Sequence, residues 1–125
     1  MNVVDSSAWL EYFADGPRAA RFASAIEATD ELLVPSVVEL EVTQRVLHQR
    51  GEDAALEVAA LLRQGQVVPL DGDLALVAAR TGVDHKLPLA DSIIFATAER
   101  FDATLWTMDA DFKGLPNVRY VARGR

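Results

Sequence analysis

Five acidic side chains stand at the ends of apolar segments spread along the chain. They are Asp5 after Met1-Asn2-Val3-Val4, Glu41 in a mid-chain helical stretch, Asp91 opening a late one, and Asp109 with Asp111 after Leu105-Trp106-Thr107. In α/β folds ligand sites collect beyond the carboxyl ends of parallel strands, so acids remote in sequence can converge there. Four or five converged carboxylates repel one another or take up protons unless a hard divalent cation such as Mg²⁺ or Mn²⁺ offsets their charge. Metal-dependent work on phosphate is the chemistry such a set points to.

Helical geometry separates these acids from ordinary surface ones. At about 100° per residue, Glu41 projects between Val37 and Val38, with Arg45 and His48 on its side, whereas Glu39 falls beside Thr43 and Arg50 on a solvent arc. The alternative role for Glu41 is an i,i+4 ion pair with Arg45. Asp91 falls in the arc of Ile94, Phe95, Ala98 and Phe101, where an apolar residue is expected, and a carboxylate there needs a partner. Its alternative role is in the first helical turn, where free N–H groups and the dipole favour an acid.

The segment Thr107-Met108-Asp109-Ala110-Asp111-Phe112-Lys113-Gly114 offers two carboxylates and a hydroxyl just after a strand-like run. A calcium-binding EF-hand loop requires a ligand where Lys113 stands and a bidentate Glu where Tyr120 stands, so that reading fails. A phosphatase with an aspartyl nucleophile of the haloacid dehalogenase type usually has Thr or Val at the position of Lys113. An Asp-rich turn is the plain alternative. No histidine is placed as a base: His48 lies a turn or two past Glu41, and His85 is expected in the loop before Asp91. Ser6 and Ser7 lack an evident base, and read more simply as helix caps.

Short β-type runs alternate with helical patterns, which favours a parallel sheet covered by helices on both faces. Strands are predicted at Met1 to Val4, Leu32 to Val34, Val67-Val68, Thr104 to Met108 and Asn117 to Val121. Helices are predicted from Ser6 to Phe13, from near Arg18 to about Ala28, from Pro35-Ser36 to Arg50, from Asp53 to Gln64, from the Asp71-Gly72-Asp73 cap to about Arg80, and from Leu89 to Phe101. Gly51 and Gly65 close two of them.

With 125 residues and 50% hydrophobic composition, residues 1–125 are expected to form a single domain. Cysteine is absent, which excludes disulfides and thiolate zinc sites. Neither a signal peptide nor an apolar run of about 20 residues is visible, so a cytoplasmic protein is expected. The net charge of −7 argues against broad electrostatic attachment to nucleic acid. It leaves room for a nuclease, because metal ions reverse the local field of the acids that bind them. Arg45, Arg50, His85, Lys86, Arg119, Arg123 and Arg125 are the cations available around such a site.

The chain resembles the PIN-domain nucleases, and most of all the VapC-type toxins of toxin–antitoxin pairs. The resemblance is carried in family order by Val3-Val4-Asp5-Ser6-Ser7-Ala8-Trp9-Leu10-Glu11-Tyr12-Phe13, by Val34-Pro35 through Glu41-Val42, by Leu89-Ala90-Asp91-Ser92-Ile93-Ile94-Phe95-Ala96-Thr97-Ala98, and by Ala103-Thr104-Leu105-Trp106-Thr107-Met108-Asp109-Ala110-Asp111-Phe112. It implies a three-layer α/β/α sandwich on a parallel sheet of about five strands. It further implies a Mg²⁺ or Mn²⁺ site formed by Asp5, Glu41, Asp91 and Asp109, with Asp111 as an auxiliary acid and Ser7 and Thr107 as nearby hydroxyls. Glu39 and Glu41 both stand near the second acid position, and the helical phase together with the Pro35 spacing favours Glu41.

The implied activity is metal-dependent endoribonuclease hydrolysis of RNA phosphodiesters, and the implied partners are a small antitoxin protein and a second copy in a homodimer. Trp9, Leu10, Tyr12 and Phe13, on one short helix, are the expected anchors for such partners. Two other classes compete. A phosphoacceptor receiver domain has similar size and a strand-end Asp, but it needs paired acids near the first strand, where Ser6 and Ser7 stand here. A catalytically silent binding module would use the same aromatics as a groove.

Overall fold

The structure, a computed structural model, describes residues 1–124; Arg125, one of the tail cations named above, lies outside the described residues. Five strands form one sheet: β1 (Asn2–Val4), β2 (Leu32–Pro35), β3 (Gln66–Val68), β4 (Thr104–Thr107) and β5 (Val118–Tyr120). Their order is β3-β2-β1-β4-β5 and every pairing is parallel. Six helices connect them: α1 (Ser6–Phe13), α2 (Ala20–Glu27), α3 (Ser36–Arg50), α4 (Glu52–Leu62), α5 (Gly72–His85) and α6 (Leu89–Arg100). Right-handed crossovers running one way from β1 to β3 and returning from β3 to β4 require helices on both faces, the α/β/α sandwich expected from the sequence.

The chain reverses its direction of travel across the sheet at the β1–β4 neighbours. A crevice opens outside the carboxyl ends of strands at such a switch point. Asp5 follows β1, and Thr107 through Asp111 end and follow β4, so three of the five acids are delivered there by topology alone. The strand order also differs from the 2-1-3-4-5 order of receiver-type doubly wound domains, which removes the support for that alternative.

β1 and β2 lie in the middle of the sheet and bury nearly every side chain, and the core continues through Phe22, Val42, Leu62, Leu74, Phe95, Leu105 and Phe112. Trp9 belongs to this core at 1% exposed, stacked on Phe13 with ring centroids 5.4 Å apart. The expectation that it anchors a partner is therefore corrected. An eight-residue helix laid on the sheet has to turn its largest apolar side chain inward, leaving Tyr12 and Phe13 half-buried beside it.

Helix α5 runs five residues beyond the expected end at Arg80, because Gly82 serves as a contact residue rather than a stop. A Cβ there would lie 2.9 Å from the Cβ of Ser92 on α6, so glycine permits the close approach of the two helices. Lys86 then ends α5 in a left-handed conformation at φ 56°. His85 is consequently the last residue of α5 and not a loop residue, with its ring edge-on to Phe95. Helix α2 starts at Ala20 rather than near Arg18, since Gly16 through Ala19 form turns first. No helix among the described residues is long and apolar enough to cross a membrane.

Candidate functional site

Asp5 is the first residue after β1, and its backbone N–H donates to the Trp106 carbonyl of β4 at 3.0 Å, which fixes the carboxylate at the strand ends. One carboxylate oxygen, Oδ1, caps α1 by accepting from the Ala8 N–H at 3.0 Å and also accepts from the Ser7 hydroxyl at 2.7 Å. The other, Oδ2, accepts from the Thr107 hydroxyl at 2.7 Å. Asp5 itself is therefore the helix cap, not Ser6 or Ser7. Burial, at 3% exposed, pushes this carboxyl up to about 6 in spite of its three donors, with the nearby Asp109 charge adding to the effect.

The two hydroxyls extend this frame to the loop after β4. Thr107 Oγ1 accepts from the Asp109 N–H at 2.8 Å, and Ser7 Oγ accepts from the Met108 N–H at 3.1 Å. Asp109 Oδ1 in turn accepts from the Asp111 N–H at 2.9 Å, opening a short 3₁₀ turn, Ala110–Phe112. The Asp109 carboxylate and the backbone that carries Asp111 are thus placed by a chain of hydrogen bonds that begins at buried Asp5.

Across this turn stands Asp91, half-buried in the first turn of α6. It makes no capping bond there, and Pro88 occupies the N-cap position. Each of Asp91, Asp109 and Asp111 offers an oxygen within 4.8 Å of the others. Burial pushes the Asp91 carboxyl up to about 8, reinforced by the charge of Asp109, by a proton shared with it, and by the charges of Asp5 and Asp111. No lysine or arginine pairs with the three carboxylates among the described residues. An all-oxygen set that must bind protons to tolerate its own charge suits a hard divalent cation, which would replace the proton.

Glu41 lies outside that tight group. Its Oε1 accepts from the Ser6 hydroxyl at 2.6 Å, so α1 links Glu41 through Ser6 and the Asp5 frame through Ser7. As the helical phase predicts, Glu41 shares a cavity with Arg45 and His48, yet it forms no salt bridge with Arg45 among the described residues. Glu39 points elsewhere and pairs with Arg63, the residue just after α4, at 2.8 Å. Phe101 leaves the apolar arc proposed for α6, since it follows the helix end and is 37% exposed. Sequence reasoning missed the Ser6–Glu41 bond and the burial of Asp5; a serine pair after a strand-end acid carries no signal that distinguishes a ligand-orienting hydroxyl from a cap.

The family profile described as PIN domain matches residues 3–118. The chain belongs to the PIN domain family. No curated protein matches this PIN-domain sequence. Among solved structures, a toxin–antitoxin complex from Klebsiella pneumoniae is similar with a TM-score of 0.80 at 24% identity, covering 95% of this chain and 96% of that one. The sarcin–ricin loop cleaving toxin VapC20 of Mycobacterium tuberculosis is similar with a TM-score of 0.76 at 22% identity, covering 95% and 99%. VapBC2 from Rickettsia felis, bound to a promoter DNA fragment, gives 0.73 at 13% identity, covering 97% of each chain. At these identities the likeness establishes the fold alone.

Proposed function

We propose that this PIN-domain protein is a Mg²⁺- or Mn²⁺-dependent endoribonuclease and the toxin half of a toxin–antitoxin pair. The observation that carries the reading is the unneutralised cluster of Asp91, Asp109 and Asp111 beside buried Asp5 at the carboxyl ends of β1 and β4. In this reading Asp5, Glu41, Asp91 and Asp109 hold the metal with help from Asp111. Thr107 and Ser7 keep Asp5 and the Asp109 loop in register, and Ser6 aims Glu41. When bound, a divalent ion supplies activation of water and neutralises charge on the phosphate in an in-line hydrolysis.

Neither histidine takes part: the His85 ring packs edge-on to Phe95 at the end of α5, and His48 lies on the exposed face of α3. The silent-module alternative loses its main support because its aromatic groove is centred on a tryptophan that is core. An antitoxin and a second copy of the chain are the proposed partners, in the cytoplasm. Exposed Leu76 and Val83, seven apart on α5, and Leu89 opening α6 supply apolar surface for them, and similar folds have been solved as toxin–antitoxin complexes. Incubation of a mixed RNA pool with purified protein and Mn²⁺ should give discrete fragments that vanish with Asp109→Asn. A wild-type protein that leaves RNA intact with either metal, after removal of any co-purified small protein, refutes the reading.

A further inference from the structure

An acidic chain that handles RNA needs a local source of positive charge, and five of the nine arginines among the described residues are already engaged. Arg63 pairs with Glu39, Arg80 with Asp84 and Arg100 with Asp71, while the Arg18 side chain donates to the Ala122 carbonyl and Arg119 lies over the Trp106 ring. Arg45 and Arg123 form no salt bridge with any described carboxylate. Both face one feature, a cleft between α1 and α3. It consists of two adjoining cavities of about 390 and 430 Å³ that share Ser6, Leu10 and Arg45. The α1 wall is built from positions 6, 7, 10, 11 and 14, and the α3 wall from positions 41, 44, 45, 48 and 49, each a single helical face.

The cleft ends at the proposed reaction site, since Ser6 and Glu41 line it and Ser7 touches Asp5. Its two acids each accept one hydrogen bond from a neutral donor and keep their charge. Glu41 accepts from Ser6, and Glu11 accepts from the Arg18 backbone N–H at 2.7 Å. The same space is lined by Arg45 and Arg123, with His48 and the amides of Gln44 and Gln49. Around Leu10, the two arginines and the amide side chains offer hydrogen-bond donors to the phosphates of a single strand.

We propose that the α1–α3 cleft is the track for single-stranded RNA leading to the scissile phosphate, with Arg45 and Arg123 holding phosphates and thereby setting substrate affinity. The proposal rests on the reading of the acid cluster as an RNA-hydrolysing site. The two arginines are positioning residues, exposed and free of ion pairs among the described residues, so their removal leaves the fold intact. Binding is read by fluorescence anisotropy of a short labelled oligouridylate on the full chain in Ca²⁺, and turnover in Mn²⁺. Arg45→Ala and Arg123→Ala should each weaken binding roughly tenfold, raise KM and hold kcat. Each should lower the slope of log affinity against log salt by about 0.7 for every phosphate the protein no longer neutralises. Arg45→Lys should restore the slope, and Arg80→Ala, which removes an equal charge remote from the cleft, should match wild type.

Wild-type binding by both cleft variants, with RNA cleavage intact, overturns the track and leaves the nuclease standing. Loss of affinity for a polyglutamate peptide without loss for RNA overturns it too, and reassigns the cleft to an acidic protein segment. A wild-type protein that neither binds nor cleaves RNA overturns the nuclease reading itself.

Discussion

Replacing Asp5 by asparagine isolates the cost of keeping a negative charge inside the sheet end. The Asp5 carboxyl stands at about 6 in the folded protein against an ordinary 3.8, chiefly because it is buried. A shift of about two units corresponds to about 3 kcal/mol at 1.36 kcal/mol per unit. For an acid raised on folding, stability is fully present below the unfolded pKa and is lost as pH rises through the folded one. The metal-free wild type should therefore lose about 3 kcal/mol relative to Asp5→Asn between about pH 4 and pH 7. Asparagine keeps an acceptor for the Ala8 N–H but cannot accept from the Thr107 hydroxyl at the second position, which costs about 1 kcal/mol. The variant should then be less stable than wild type near pH 4, cross it near pH 5, and exceed it by about 2 kcal/mol above pH 7. Urea denaturation in EDTA across that range reads this directly. Parallel stability curves for the two proteins would refute the argument that burial, rather than hydrogen bonding, governs Asp5.

Mg²⁺ or Mn²⁺ should raise the melting temperature of wild type by binding only the folded state, and Asp91→Asn or Asp109→Asn should abolish most of that shift in scanning fluorimetry. Because burial and the neighbouring acids push the Asp91 carboxyl up to about 8, the ion must displace its proton, and calorimetry should show affinity rising from pH 6 toward pH 8 with proton release falling over the same range. Glu41→Gln should lower RNA cleavage by roughly 10²-fold or more with the fold preserved in circular dichroism, whereas Glu39→Gln, which only loosens an exposed pair with Arg63, should leave cleavage unchanged; the reverse pattern would show that the phase assigned to α3 is wrong. Thr107→Val leaves the Asp109 N–H and one Asp5 oxygen without partners and should cost about 2–4 kcal/mol and most activity, while Thr107→Ser retains both; equal behaviour of the two variants in denaturation and cleavage would refute the role given to the hydroxyl.

Period and punctuation in the sequence carried much of this molecule. The β-rich runs before Asp5 and Asp109 and the helical phases of Glu41 and Asp91 mark which acids end strands or face inward, because strand and helix periodicities are local properties of the backbone. Boundaries failed where a local signal had a tertiary purpose. Gly82 reads as a breaker, yet it serves the contact of α5 with Ser92, and Trp9 reads as a surface anchor, yet the sheet beneath α1 buries it.

Convergence belongs to the tertiary structure. The sheet order β3-β2-β1-β4-β5 places the ends of β1 and β4 side by side, and only that adjacency lets Thr107 bridge Asp5 to the Asp109 loop across 102 residues of sequence. The types of the acids follow from composition, but their raised pKa values follow from burial and mutual charge, which depend on distances between elements that no local pattern encodes. The same holds for the α1–α3 cleft: Arg45 has a helical phase legible in the sequence, but Arg123 meets it only because the chain beyond β5 returns over α1. Residue identity thus determined what the site could do, while the crossover topology decided which residues would do it together, since electrostatic coupling and hydrogen bonding act over ångströms of space and not along the chain.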